Sequence, residues 1–154
     1  MDEVEKLIDN CNSAEDWLYE AGEEVGYKEY QTKGYDLQSA YSKLKVRKSE
    51  HQFRENQLRE VQAGLKNMKD ALPEILEKKT WITAEDGQDV HDKIEDMRTW
   101  LDEKIEAQAE AGLSADPVFT ADQVSQKVEK VAKLYKKITD KKKPKEKKQK
   151  KVET

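Results

Sequence analysis

Residues 83–110 read TAEDGQDVHDKIEDMRTWLDEKIEAQAE, and this stretch carries the clearest structural pattern of the chain. Apolar side chains recur at every third or fourth position, the spacing of one face of an α-helix. That face comprises Val90, Ile94, Met97, Leu101 and Ile105. Thr83 precedes the face and Asp86 follows three residues later, a pattern typical of a capped helix N-terminus. The stretch therefore predicts one long amphipathic helix.

Comparable stripes on either side predict four more helices, over residues 4–18, 27–44, 58–75 and 124–138. The first should end near Gly22, because glycine is favoured just beyond helix C-termini. The last should begin at a capping box formed by Thr120 and Gln123. Pro73 lies inside the third stripe and should kink or break that helix, since proline lacks the N–H donor and crowds the preceding turn.

No segment alternates between apolar and polar residues with a period of two, so strands are not expected. The predicted fold is all-α, an antiparallel bundle of about four to five helices over residues 1–139. Residues 140–154 contain eight lysines against three acidic residues, a net charge of +5, and should form a disordered basic tail. The total charge of −4 then leaves −9 on the body. Helical sequence begins almost at Met1, as expected for a piece of a longer protein.

Residue patterns for chemistry are missing. There is no GxxxxGK[ST] or GxGxxG loop to hold phosphates, so the chain should not bind ATP and should not be an enzyme. Cys11 is the single cysteine and should be a buried structural thiol, while His51 and His91 are interpreted as surface residues without a metal. No cofactor is expected. Neither a signal peptide nor an apolar run long enough to span a membrane is present.

Three tryptophans stand out in a chain that is 40% charged, because such large side chains are costly to leave in water. Each lies at or beside the end of a predicted helix. The surrounding candidate residues for packing or partner contact are Trp17, Leu18, Tyr19, Trp81, Trp100, Leu101, Val118 and Phe119. Most of the four residues Trp17, Tyr19, Trp100 and Leu101 should be core. Val118 and Phe119, in a loop, are better candidates for a packing clasp or a contact.

These stretches resemble, in order, the C-terminal helical region of the large members of the 70-kDa heat-shock chaperone superfamily. The matching segments are WLYE with GEE at 17–24, KTWI at 79–82 with TWLDEK at 99–104, and AQAE at 107–110 with DPVFT at 116–120. The resemblance covers about residues 1–145. The wording is most similar to the 170-kDa glucose-regulated, hypoxia up-regulated type, with the 110-kDa heat-shock type as runner-up.

The resemblance implies a chaperone module that holds unfolded or partly folded clients and contacts a partner 70-kDa chaperone, for which full-length members act as nucleotide-exchange factors. ATP would be bound only by a domain that this sequence lacks. The implied compartment is the lumen of the endoplasmic reticulum, with the cytoplasm as the alternative, because no C-terminal retention signal is present. Neither a membrane nor a specific nucleic acid is an expected partner.

Two other interpretations remain open on the sequence. Heptad-like spacing also fits a structural helical-bundle or coiled-coil scaffold without chaperone activity, although Gly22, Pro73 and Pro117 interrupt the stripes. The basic segment 141–151 could attract nucleic acid or another acidic surface, with binding that weakens steeply in salt. The tyrosines Tyr27, Tyr30 and Tyr41 could stack bases, but their spacing favours a seam between helices.

Overall fold

The computed structural model describes residues 2–145 and contains five α-helices. They are α1 (Glu3–Glu20), α2 (Tyr27–Asn56), α3 (Leu58–Lys78), α4 (Ala84–Ala111) and α5 (Ala121–Thr139), with a short 3₁₀ turn at Gly22–Glu24. No strand occurs within the described part. The predicted all-α fold is confirmed. Of the predicted tail, residues 146–154 lie outside the described residues.

Contacts divide the chain into two compact units. The N-terminal unit comprises Met1–Gln52 together with the loop segment Leu113–Pro117, and the C-terminal unit comprises Phe53–Gly112 and Val118–Thr154. The boundary therefore falls inside α2, close to its C-terminal end. Each unit has a different kind of interior.

The C-terminal unit is a bundle in which α3, α4 and α5 all contact one another. Its core is built from the predicted stripes, because the apolar face of each helix is the face that meets the other two. The fully enclosed side chains, each at most 1% exposed, are Leu65, Val90, Ile94, Leu101, Phe119 and Val124. Short connections between consecutive helices make neighbours antiparallel, as expected.

The N-terminal unit is an antiparallel pair of α1 and α2. Glu3 near the start of α1 forms an ion pair with Arg47 late in α2, and the Trp17 ring meets the Tyr30 ring edge-on at 5.4 Å. Neither helix has a buried residue, although α2 contributes to this unit only through Gln52. This unit therefore presents two helices that are paired with each other but not enclosed.

Several local predictions are confirmed. The Thr83 hydroxyl accepts a hydrogen bond from the Asp86 backbone N–H at 3.1 Å, which caps α4. At α5, the Thr120 hydroxyl accepts from Gln123 N, and the Gln123 side chain accepts from Thr120 N, the reciprocal capping box that the sequence predicts. Gly112 ends α4 with φ = 81°, a left-handed backbone conformation that favours glycine.

Three expectations are wrong. The expectation that Pro73 breaks its helix is wrong, because α3 continues through it to Lys78, while the alternative of a kink stays a prediction. Cys11 is exposed on α1, since the face of that helix to which it belongs has no neighbour. The tyrosine stripe of α2 is not a continuous seam: Tyr30 is 39% exposed and contacts α1, whereas Tyr27 and Tyr41 are 75% and 56% exposed.

Candidate interaction site

The first motif, WLYE with GEE, forms the turn between α1 and α2. Trp17 packs edge-on against Tyr30, and Lys33 Nζ lies 5.0 Å from the centre of the Trp17 ring. The Tyr30 hydroxyl donates a hydrogen bond to the carbonyl of Gly22. Gly22 is buried, and a Cβ at this position would lie 3.1 Å from the Tyr30 hydroxyl oxygen. Trp17, Gly22 and Tyr30 thus fix the turn together.

Leu18 and Tyr19 do not take part in that packing. Leu18 is 46% exposed and Tyr19 is 78% exposed, although both follow directly after Trp17. Adjacent residues on a helix point about 100° apart, so only one of the three can face α2 fully. Tyr19 is thus an exception to the expectation that most of Trp17, Tyr19, Trp100 and Leu101 are core. Both side chains are available on the surface of the N-terminal unit.

The second motif, KTWI, holds the end of α5. Trp81 Nε1 donates to the carbonyl of Lys141 at 2.7 Å, and Lys79 Nζ donates to the carbonyl of Thr139. Lys141 Nζ in turn forms an ion pair with Asp86 in the first turn of α4. A lysine at the C-terminal carbonyls of a helix also complements the helix dipole. This connector is a fastening point for the last helix.

The Asp86 carboxylate accepts two side-chain hydrogen bonds in this connector. Hydrogen bonds from Lys141 Nζ and from the Thr83 hydroxyl hold the pKa of Asp86 below its ordinary value of 3.8. The two hydrogen bonds stabilise the ionised form. They connect the N-terminal cap of α4 to Lys141, two residues after the end of α5.

The third motif, AQAE followed by DPVFT, is held together by Gln108. This side chain is only 7% exposed, and its Oε1 accepts a hydrogen bond from the backbone N–H of Val118 at 2.8 Å. Phe119, which follows, is 1% exposed and meets the Trp100 ring at 6.4 Å with the rings 77° apart. Phe119 is thus the packing clasp that the sequence suggests. Val118 is half-buried beside it.

Trp100 and Leu101 lie on different sides of α4. Leu101 is 1% exposed, whereas Trp100 is half-buried, with Lys127 Nζ 4.7 Å from its ring centre. Trp81 is likewise half-buried against the core. The eight candidate residues therefore do not form one site. Six of them lie at three helix junctions, whereas Trp100 and Leu101 lie well inside α4, so the expectation that Trp100 lies at a helix end is wrong. Whether any of the eight contacts a partner remains a prediction.

Gln108 is the residue that sequence reasoning missed. The signal was present, since Gln108 follows Leu101 by seven residues and Ile105 by three, which places it on the inner face of α4. A buried polar side chain needs a hydrogen-bond partner, and the loop backbone supplies it.

No group of three or more histidine, cysteine, aspartate or glutamate side chains is arranged to hold a metal within residues 2–145. His91 lies on α4 with its Nδ1 3.5 Å from Asp92 Oδ1, which is a contact between neighbours in sequence. None of the five described helices is both long and apolar enough to cross a membrane.

The exposed large hydrophobic side chains are concentrated in one place. Among residues 2–145, all of them belong to the N-terminal unit, and they are Val4, Ile8, Leu18, Tyr19, Tyr27, Tyr30, Tyr35, Tyr41, Val46 and Leu113. The enclosed core, by contrast, lies wholly in the C-terminal unit. Concentrated exposed apolar side chains mark interaction surfaces in soluble proteins. The N-terminal unit is accordingly the candidate interaction site.

Comparison with known proteins identifies the family of the chain. The profile of the HYOU1-like, C-terminal domain family matches residues 62–143, which is more than half of the 154 residues. The chain belongs to this family. It is also 25% identical to Heat shock 70 kDa protein 4 of Rattus norvegicus over 134 residues, which covers 85% of the chain.

The match spans only 16% of the length of that relative. No solved structure matches the chain. The family assignment supports the resemblance at the level of the large 70-kDa heat-shock superfamily: this chain is a chaperone-family helical domain. The matched residues 62–143 coincide with most of the C-terminal unit and include the second and third motifs.

Proposed function

We propose that this domain is the polypeptide-holding part of a large 70-kDa-type chaperone and that its N-terminal unit binds unfolded or partly folded clients. The observation that carries the proposal is the separation of surfaces: the C-terminal unit encloses its apolar side chains, while the N-terminal unit exposes ten large ones. Unfolded chains also expose apolar side chains, and burying both surfaces against each other is favourable.

The family membership supports two further parts of the proposal. The domain would contact a partner 70-kDa chaperone, and full-length relatives would use that contact for nucleotide exchange. ATP would be bound by another domain of such relatives, so that this domain needs no cofactor of its own. The endoplasmic reticulum lumen fits the HYOU1-like family, and the cytoplasm is the alternative compartment.

The holding activity can be tested by light scattering. The 154-residue chain should slow the aggregation of a heat-denatured enzyme when present at tens of micromolar. Replacement of Tyr19, Tyr35 and Leu113 by serine should abolish most of this effect, since these side chains are 73–78% exposed and no fold contact depends on that exposed area. A chain that leaves aggregation unchanged would contradict the proposal.

A matched control uses three exposed positions of the C-terminal unit, Glu103, Gln126 and Lys130, replaced by serine. This variant should protect the client as well as the unaltered chain does. Circular dichroism should show equal helix content for both triple variants. Contact with a partner is measured separately, by titrating the chain with the isolated ATPase domain of a 70-kDa chaperone.

A further inference from the structure

Helix α1 carries one broad apolar face, and only one side of it is occupied. Leu7, Ala14 and Trp17 are half-buried on the side that meets α2. Val4, Ile8, Cys11 and Leu18 are exposed and are spaced by four, three and seven residues. At about 100° per residue these four side chains lie along one line of the helix, about 21 Å long, on which the exposed Glu15 occupies the position between Cys11 and Leu18. We name it the open stripe of α1.

A row of carboxylates borders the open stripe. Glu5, Asp9, Asp16 and Glu20 follow spacings of four, seven and four, which places them on one line of the helix next to the stripe. All four are exposed. Within residues 2–145, no lysine or arginine forms an ion pair with any of them. We name this line the acidic row.

Charge across the molecule is distributed accordingly. Residues 2–24 contain nine acidic residues and one lysine, a net charge of −8, so α1 and the following turn hold most of the net charge of −9 that residues 1–139 carry. The basic segment 140–154 could neutralise the acidic row, but its single apolar residue is Val152. It cannot cover an apolar stripe as well, and a complementary partner must supply both features.

We propose that the open stripe and the acidic row together bind an amphipathic helix of a client polypeptide, one whose apolar stripe is flanked by lysine or arginine. The proposal rests on the holding function proposed above and specifies the client segment it would select. A third helix laid against α1 would bury apolar side chains at heptad-like spacing, as in helical bundles. Its basic flank would meet the four carboxylates, which gives the selectivity.

The test uses three peptides of 18 residues. The first two share a leucine stripe, and the third shares the composition of the first. One has four flanking lysines, one has four flanking glutamates, and one has the lysine sequence scrambled so that no stripe forms. Fluorescence anisotropy with the 154-residue chain should show the basic peptide binding at least about tenfold more tightly than either other peptide. The difference from the acidic peptide should shrink as salt is raised, because exposed charges are screened.

Two variants separate the stripe from the row. Ile8→Ser with Leu18→Ser should weaken all peptide binding. Glu5→Gln, Asp9→Asn, Asp16→Asn and Glu20→Gln together should weaken only the basic peptide, by about tenfold. Glutamine at position 5 can still accept the N-terminal capping bond that Asp2 N donates to Glu5 at 3.1 Å. A matched control neutralises Asp102, Glu103, Glu106 and Glu110, all exposed on α4, and should leave binding unchanged.

Equal binding of the basic and acidic peptides, or equal effects of the α1 and α4 neutralised variants, would overturn the proposal. A stripe-dependent dimer in sedimentation velocity that excludes the peptide would also overturn it, since a second copy would then be the occupant. If the chain suppresses client aggregation but shows no preference for the basic peptide, this inference fails while the proposed function stands.

Discussion

At the scale of single residues, Gln108 shows how one buried polar group can determine the path of a loop. Its Oε1 receives the Val118 N–H, and Val118 directly precedes the enclosed Phe119. Removing the acceptor would leave that loop N–H without its partner. The cost of such a loss exceeds the net contribution of an ordinary hydrogen bond.

We therefore expect Gln108→Ala to lower the free energy of unfolding by about 1–3 kcal/mol. Gln126→Ala is the matched control, because Gln126 is an exposed helical glutamine that donates to Asp122 one turn away. Its effect should stay within about 0.5 kcal/mol. Urea denaturation followed by circular dichroism measures both. Equal effects would show that burial of Gln108 has no energetic consequence.

Phe119 and Tyr19 provide a second comparison between residues that the sequence motifs make equally prominent. Phe119→Ala should cost about 3–5 kcal/mol, since it removes a side chain that is only 1% exposed and leaves a cavity. Tyr19→Ala should change stability by about 0.5 kcal/mol or less, since Tyr19 is 78% exposed. Thermal and urea unfolding of both variants decide the matter; a large loss for Tyr19→Ala would place it in a core.

At the scale of helices, periodicity predicted where the five elements lie but not which faces are covered. The stripe of α5 and the open stripe of α1 have the same spacing, yet Val124 and Val131 are enclosed while Val4 and Ile8 are exposed. Spacing reports that an apolar face exists, and a neighbour must be present for burial. The same limit explains the wrong expectations for Cys11 and for the tyrosine stripe of α2.

The spacing of apolar residues also could not predict the contacts between residues that are far apart in sequence. Trp81 and Lys141 are 60 residues apart in sequence, and nothing in either local pattern indicates that the indole donates to that carbonyl. The family resemblance indicated that these motifs occur in the same region, but it did not predict which atoms are in contact. The physical reason became visible only with the antiparallel arrangement of α4 and α5, which brings the end of one helix to the start of the other.

The fastening of α5 to the start of α4 should depend on pH. The pKa of Asp86 is lowered in the folded state, chiefly by the hydrogen bond from Lys141, so the associated stabilisation is present above the ordinary value of 3.8. It is lost as the pH falls below 3.8 towards the lowered pKa, where Asp86 is protonated in the folded chain as well. Acidification through that range should therefore release Lys141.

The indole N–H signal of Trp81 in NMR spectra reports this release, because Trp81 Nε1 is bonded to the carbonyl of Lys141. Asp86→Asn should shift the signal at neutral pH towards its acid position and remove most of its pH dependence below pH 3.8. Asp89→Asn, at an exposed position of the same helix, is the control and should leave the titration unchanged. A Trp81 signal that is insensitive to Asp86→Asn would contradict the assignment.

At the scale of the whole molecule, the two units differ in what holds them together. The C-terminal unit has an enclosed core to which three helices contribute, whereas α1 has no buried residue at all. Helices of this length are marginal on their own and depend on packing. Since local opening is easiest where few apolar contacts must be broken, the units should differ in the free energy of opening.

Hydrogen–deuterium exchange measures that difference. Amides of α5 should exchange more slowly than those of α1 by on the order of a hundredfold or more, after correction for intrinsic rates. The two helices form a matched pair, because they have 19 and 18 residues and both begin with an acceptor side chain near the N-terminus. Length and capping therefore cannot account for a difference between them. Equal protection of α1 and α5 would mean that the open stripe of α1 is covered in solution, and that finding would remove the surface on which client binding is proposed.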